Sequence, residues 1–183
     1  MKVFITIIIL QFLGFNDLTV YNEEEDKAIM TVSGTSSLHD WESSVEDFKY
    51  TASISVEGNT LLEINELDFM VSVKSIKSGK DMMDKKTYKA LKESSYPTIS
   101  YHLISVITQN DNTVTSTGEL IIGGKKNMVR MDVNYEIYSS TIEFNGELTL
   151  KMSDYEISPP TAMMGTIKTG DEVTIRFSIP FNK

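Results

Sequence analysis

The sequence predicts an all-β domain of antiparallel strands carrying one short helix, and three observations point there. Beyond residue 27 the dominant hydrophobic period is two, so one face of each strand meets a core and the other meets water. Turn-forming residues recur where hairpins need them, at Gly58-Asn59, Asn110-Asp111-Asn112, Gly123-Gly124 and Ser139-Ser140. A single segment, Asp81 to Lys92, replaces the alternation with a helical period.

Taken from the N-terminus, residues 1–20 read as an export signal rather than as fold. Met1-Lys2 supplies a short positive region, and Val3 to Leu13 is apolar except for Thr6 and Gln11. That run is too short to span a bilayer, and acidic Glu23 to Asp26 follow it. Residues 28–183 then form one domain, expected in the periplasm or outside the cell. Eight strands are expected over 28–38, 48–57, 61–74, 98–108, 113–122, 125–137, 141–152 and 172–181. The sixth sets Val129, Met131, Val133, Tyr135 and Ile137 against Arg130, Asp132, Asn134 and Glu136. The seventh sets Ile142, Phe144, Leu148, Leu150 and Met152 against Glu143, Asn145, Glu147, Thr149 and Lys151. The last sets Val173, Ile175, Phe177 and Ile179 against Thr174, Arg176 and Ser178.

Between the third and fourth strands, DMMDKKTYKALK reads as a helix, with Asp81 and Asp84 spaced as an N-cap and a first-turn acid. Met83, Thr87, Ala90 and Leu91 form one stripe, while Lys85, Lys86, Lys89 and Lys92 share another face with Met82. Pro97 disfavours helix at Tyr96 and restarts a strand. Pro159 and Pro160 take the chain out of the sheet, and the pliant pair Met163-Met164 stands just ahead of the last strand. Such strands close into an up-and-down barrel or split into a sandwich, and alternation alone fits both. Closure removes exposed edges and leaves an interior wide enough for one slender ligand.

Composition narrows the function. A formal net charge of −9 argues against nucleic acid, whose phosphates call for a basic footprint. With no cysteine, thiol catalysis and Cys-based zinc sites are absent, and an exported chain must be held by core and sheet alone. His39 and Asp40 are neighbours on a strand and so point to opposite faces, a poor acid–base pair. His102 stands far off, as a surface or rim residue. Neither histidine shows metal-ligand spacing, and no nucleophile or phosphate-loop motif occurs. No catalytic residue, metal or cofactor is expected.

Four stretches carry a more specific signal. They are Ser36-Ser37-Leu38-His39-Asp40-Trp41, Val73 to Lys80, Tyr96-Pro97-Thr98-Ile99-Ser100-Tyr101, and Asp154 to Phe177 with its Pro-Pro-Thr-Ala-Met-Met. In this order and spacing, from about Ala28 onward, the chain resembles the YceI-like family of secreted lipid-binding domains. Many relatives place a basic residue where Met152 stands and a glycine where Glu156 stands. The resemblance implies a lipocalin-like antiparallel barrel whose apolar interior holds a long isoprenoid chain, as a polyisoprenoid lipid or an isoprenoid quinone. On that fold the expected inward residues are Phe69, Val71, Tyr101, Leu103, Val129, Met131, Val133, Phe144, Leu148, Leu150, Ile175 and Phe177. Trp41, Met83, Met163 and Met164 are expected near the opening. Lys85, Lys86 and Lys89 form a positive patch on an acidic protein, suited to an anionic head group or a peripheral membrane contact, or simply to solvent. The rival expectation is a barrel packed solid with side chains that serves as an interaction module.

Overall fold

The alternating segments assemble into one curled antiparallel sheet. The computed structural model describes residues 22–23, 28–109 and 112–182, and the expected export signal lies outside the described residues. In chain order the strands are β1 (Asn22–Glu23), β2 (Ile29–Ser36), β3 (Trp41–Val45), β4 (Phe48–Glu57), β5 (Thr60–Ser72), β6 (Ile76–Lys77), β7 (Thr98–Thr108), β8 (Thr113–Ile122), β9 (Lys125–Ile137), β10 (Thr141–Lys151), β11 (Thr161–Ala162) and β12 (Ile167–Asn182). One helix, α1 (Asp81–Ala90), lies between β6 and β7.

All eight expected strands are present, but the count is higher. The sheet runs β4-β5-β7-β8-β9-β10-β12-β2-β3-β6, ten strands on one path, and β1 and β11 pair with β12 besides. The additions are two to five residues long, too short for an alternating pattern to declare itself. The last strand also starts earlier than expected, because Lys168 pairs with Thr161 and Thr169 with Ser36 before a bulge delivers Val173 opposite Gly34.

Closure comes from one bent hairpin. β4 pairs with β5 at one end of the path, and β3 pairs with β6 at the other. Only residues 46–47 separate β3 from β4, and only the turn Val73–Ser75 separates β5 from β6. The two sheet ends are therefore two halves of the same pair of chain segments, folded at a corner. That corner is tied by the Glu46 amide to the Ser75 carbonyl at 3.0 Å and by the buried Ser75 hydroxyl to the carbonyls of Asp47 and Ser72, both at 2.8 Å.

The interior is filled unevenly. One end is solid: Tyr50 stacks on Phe69 and meets the edge of Phe181, which also meets Phe144, with centroids 5.1–5.7 Å apart. The buried Tyr50 hydroxyl donates to the Pro180 carbonyl at 3.1 Å. The other end is lined more thinly by Leu120, Ile122, Met152, Tyr155, Ile157 and Val173, and α1 covers it. Tyr88 and Asp84 help to hold α1 there. Tyr88 donates toward the carbonyls of Lys74 and Ile76 at 2.9 and 3.1 Å, and Asp84 accepts from the amide and hydroxyl of Ser78 at 2.9 and 2.6 Å. The expected cap is corrected here. Lys80 occupies the N-cap position without a side-chain bond, Asp81 is the first helical residue, and it is Asp84 that reaches back to the preceding turn.

Candidate ligand cavity

Among the described residues, two apolar voids stand out within the barrel. The larger, about 400 Å³, lies beneath α1. The smaller, about 130 Å³, lies deeper, between the first void and the aromatic end. Ile99 on β7 and Ile175 on β12 belong to both walls. A ligand-sized, mostly apolar concavity with few polar groups is the ordinary form of a small-molecule site.

Trp41 opens the wall of the larger void. Its ring lies on Gly34, the cross-strand partner in β2. A Cβ at Gly34 would stand 2.6 Å from the indole, so only glycine admits the ring there. The indole N–H donates to the Thr35 carbonyl at 3.1 Å. The same geometry recurs deeper in the barrel, where Tyr101 lies across Gly118 and a Cβ would meet the phenol carbon at 2.5 Å.

The structure distributes the expected residues between the two voids. Phe69, Val71, Tyr101, Leu103, Met131, Val133, Phe144, Leu148, Ile175 and Phe177 line the smaller one. Trp41, Met83, Leu150 and again Ile175 line the larger. Val129 faces inward and packs on the thinner end of the core without reaching either void. Met163 and Met164 need correction. They stand on the outside, 72% and 109% exposed, at the tip of the β11–β12 hairpin. It is Pro160, Thr161 and Ala162, just before them, that line the void. The lysine set also divides. Only Lys86 reaches the void, and its Nζ donates to the Thr161 carbonyl at 2.6 Å, tying α1 to β11. Lys85 and Lys89 point into solvent, because 3.6-residue periodicity sets them at the flanks of the inward face.

Sequence reasoning missed Val32, Ile99, Ile122, Met152, Tyr155 and Ile157, all on the larger void. Val32 and Ile99 share the inward phase of their strands with Met30 and Tyr101, so alternation held the signal for both. Tyr155 and Ile157 lie in and after the irregular turn Met152–Tyr155, which has no period to read. That turn also accounts for the two departures from the family pattern. Met152 is buried against the void. Glu156 holds the left-handed conformation, φ 55° and ψ 33°, that glycine adopts freely, with its carboxylate 2.7 Å from Lys125. That lysine holds the carboxyl below its ordinary range.

Polar chemistry is sparse inside. The hydroxyls of Tyr101 and Tyr155 are buried without a hydrogen-bond partner. Burial pushes both phenols up, so both stay neutral at physiological pH. Their oxygens are packed into the wall rather than presented to the void. His39, at the rim, has Nδ1 2.7 Å from the backbone carbonyl of Asp40, and His102 pairs with Asp68 at 2.7 Å on the outer face. Among the described residues no group of three or more His, Asp or Glu side chains converges as a metal site would.

Comparison with known proteins agrees with this architecture. The family model described as the YceI-like domain matches residues 22–181. Burkholderia cenocepacia BcnA superposes with a TM-score of 0.74 at 18% identity, over 87% of this chain and 99% of that one. A polyisoprenoid binding domain from Saccharophagus degradans, implicated in plant cell wall breakdown, superposes with a TM-score of 0.64 at 13% identity, over 89% and 98%. The Campylobacter jejuni YCEI protein gives 0.61 at 17% identity, over 74% and 81%. At these identities the likeness is one of fold. No curated protein matches the chain.

Proposed function

The chain belongs to the YceI-like domain family, and we propose that it is an exported carrier that encloses the hydrocarbon of a long isoprenoid lipid or isoprenoid quinone. The observation that carries the proposal is the pair of apolar voids that share Ile99 and Ile175 in their walls. Adjacent apolar voids of this kind suit a chain-like molecule whose polar head is left at the rim. Each Å² of apolar surface withdrawn from water contributes about 25 cal/mol, so a hydrocarbon tail anchors itself without polar contacts. The polyisoprenoid binding domain of Saccharophagus degradans has the same fold, which favours this class of ligand. Export is supported by the lysine-led apolar run at Val3 to Leu13. Cargo of this kind is drawn from and returned to bilayers, so peripheral membrane contact belongs to the same proposal. No chemical step is assigned. His39 and His102 face away from each other's surroundings, one on the rim and one on the outer wall beside Asp68.

Native mass spectrometry of the protein purified from its own host tests the cargo. The expected result is a population heavier than the bare chain by the mass of one lipid, released on organic extraction. The sole tryptophan lines the larger void, so adding an isoprenoid quinone to the extracted protein is expected to quench its fluorescence saturably. Bare chain alone, together with unaltered Trp41 emission, would overturn the proposal in favour of a ligand-free interaction module.

A further inference from the structure

Three segments ring the opening of the larger void: the β2–β3 turn at Leu38-His39, the first turns of α1, and the β11–β12 hairpin. They are stitched together. Lys86 donates to the Thr161 carbonyl at 2.6 Å, the Ser37 amide to the Lys168 carbonyl at 2.9 Å, and the Lys168 amide back to the Ser37 hydroxyl at 3.0 Å. The four most exposed large apolar side chains of the described residues all belong to these segments: Met164, Met82, Met163 and Leu38. The other exposed large apolar side chains, among them Met70 and Ile104, are less exposed than these four.

The hairpin tip holds its methionines outward at a conformational cost. Met163 and Met164 have φ of 50° and 57°, a region unfavourable for residues with a Cβ. They are the only adjacent non-glycine residues of that kind among those described, and their exposure means that no packing compensates. Strain of this sort gathers at functional positions. Charge supplies the third observation. Across residues 37–40, 80–89 and 160–168 there are five lysines against three aspartates, and one of the three, Asp84, is buried and bonded to Ser78. Lys85 and Lys89 flank Met82 on one helix face and form no ion pair among the described residues. This cationic end belongs to a chain of net charge −9.

Apolar knobs ringed by lysines, on an otherwise acidic body, match the boundary of an anionic bilayer, where methionine enters the acyl region and lysine meets head-group charge. We propose that the protein docks on an anionic phospholipid surface mouth-down, with Met163, Met164, Met82 and Leu38 inserted and Lys80, Lys85 and Lys89 on the head groups. The proposal rests on the carrier reading only in giving the opening a lipid to pass; the docking face is read from exposure, strain and charge.

Flotation of protein purified after export with phosphatidylcholine vesicles, with and without phosphatidylglycerol, tests it. The wild type is expected to float with phosphatidylglycerol present and to be released by salt. Met163→Asn with Met164→Asn keeps residues that tolerate the left-handed backbone and touches no cavity wall. It is expected to lower partitioning on the order of tenfold or more. Lys85→Glu with Lys89→Glu is expected to lower it roughly fivefold per residue, on anionic vesicles alone. Met70→Ser with Ile104→Ser, on the outer wall, is expected to leave it unchanged. Equal losses from the tip and wall variants, or no flotation of the wild type, would overturn the proposal. So would a concentration-dependent dimer that the tip variant abolishes while vesicle binding persists. Cargo measured on the same samples separates the two readings: lipid-loaded protein that ignores vesicles refutes membrane docking and leaves the cargo assignment standing, and empty protein that floats refutes the cargo assignment and leaves docking standing.

Discussion

Val32→Phe decides between a barrel with a void and a barrel packed solid. Val32 projects from β2 into the larger void, across the sheet from Ser43 on one side and Ile175 on the other. Phenylalanine adds four carbons there, and a space of about 400 Å³ takes them without displacing a neighbour. At about 0.8 kcal/mol for each buried methylene-sized group, the lipid-free protein gains about 3 kcal/mol as an upper bound. Ordering the larger side chain returns about 1 kcal/mol of that. For a domain spanning residues 22–181, the remaining gain of about 2 kcal/mol raises Tm by about 4–8 °C. The cargo meanwhile loses the same contacts, about 3 kcal/mol, and binds on the order of a hundredfold more weakly. Thermal unfolding of extracted protein gives the first number, and quinone titration followed by Trp41 fluorescence gives the second. The opposite signs are the signature. A lower Tm for the extracted variant would mean overpacking, which costs about 1–3 kcal/mol in a filled core, and the reasoning from the void would fail.

Three further outcomes follow from single contacts. Asp84→Asn removes the charged acceptor of Ser78 beneath α1 and is expected to cost about 1–2 kcal/mol in urea unfolding at neutral pH. Burial resists the charge on Asp84, yet the Ser78 bonds and Lys77 together hold its carboxyl below the ordinary range. The stability it contributes is therefore whole above the unfolded carboxylate value, about 4, and disappears as pH falls through the lower folded value. The gap between wild type and variant should close over that acid interval, and a gap independent of pH would refute the assignment. Glu156→Gly relieves a left-handed backbone while giving up one exposed pair with Lys125, so a higher urea midpoint is expected. A fall would show that the Lys125 contact outweighs the strain. Gly118→Ala would put a Cβ 2.6 Å from the His102 carbonyl, which is backbone and cannot swing aside, as well as 2.5 Å from the Tyr101 ring. A loss of about 1–3 kcal/mol is expected in the same assay, and an unchanged midpoint would mean that β7 and β8 shift freely.

The legible part of the molecule is the part governed by period two. Met131 and Val133 on β9, and Phe144 and Leu148 on β10, read as inward because their neighbours Asp132, Glu143 and Glu147 have no reason to leave water. Where a bulge inserts a residue, alternation slips. On β7 the register passes from Leu103 to Ser105, Ile104 is left outside, and Val106 returns to the interior. Apolarity alone would have drawn Ile104 inward, since nothing in its side chain distinguishes it from Leu103. The closing corner was invisible for a different reason. β6 is held by pairing with β3, distant in sequence, and the corner by the Ser75 hydroxyl, and tertiary pairing leaves no local periodic trace.

The rim was the least legible part, and the reason is physical. A loop residue's direction is set by backbone dihedrals that no hydrophobic pattern encodes. For Met163 and Met164 the apolar side chain argues for burial while the left-handed backbone carries it into solvent. The same pair therefore changes meaning with one torsion, from cavity lining to exposed surface. Pro159 and Pro160 contribute to that outcome. They end the preceding stretch without ladder donors, so Thr161-Ala162 can pair back on Ile167-Lys168 and turn Ala162 toward the void while the tip extends away from it. Lining and tip are thus consecutive residues with opposite environments. A substitution at Ala162 should therefore act on cargo retention, and one at Met164 on contact with whatever surface the opening meets.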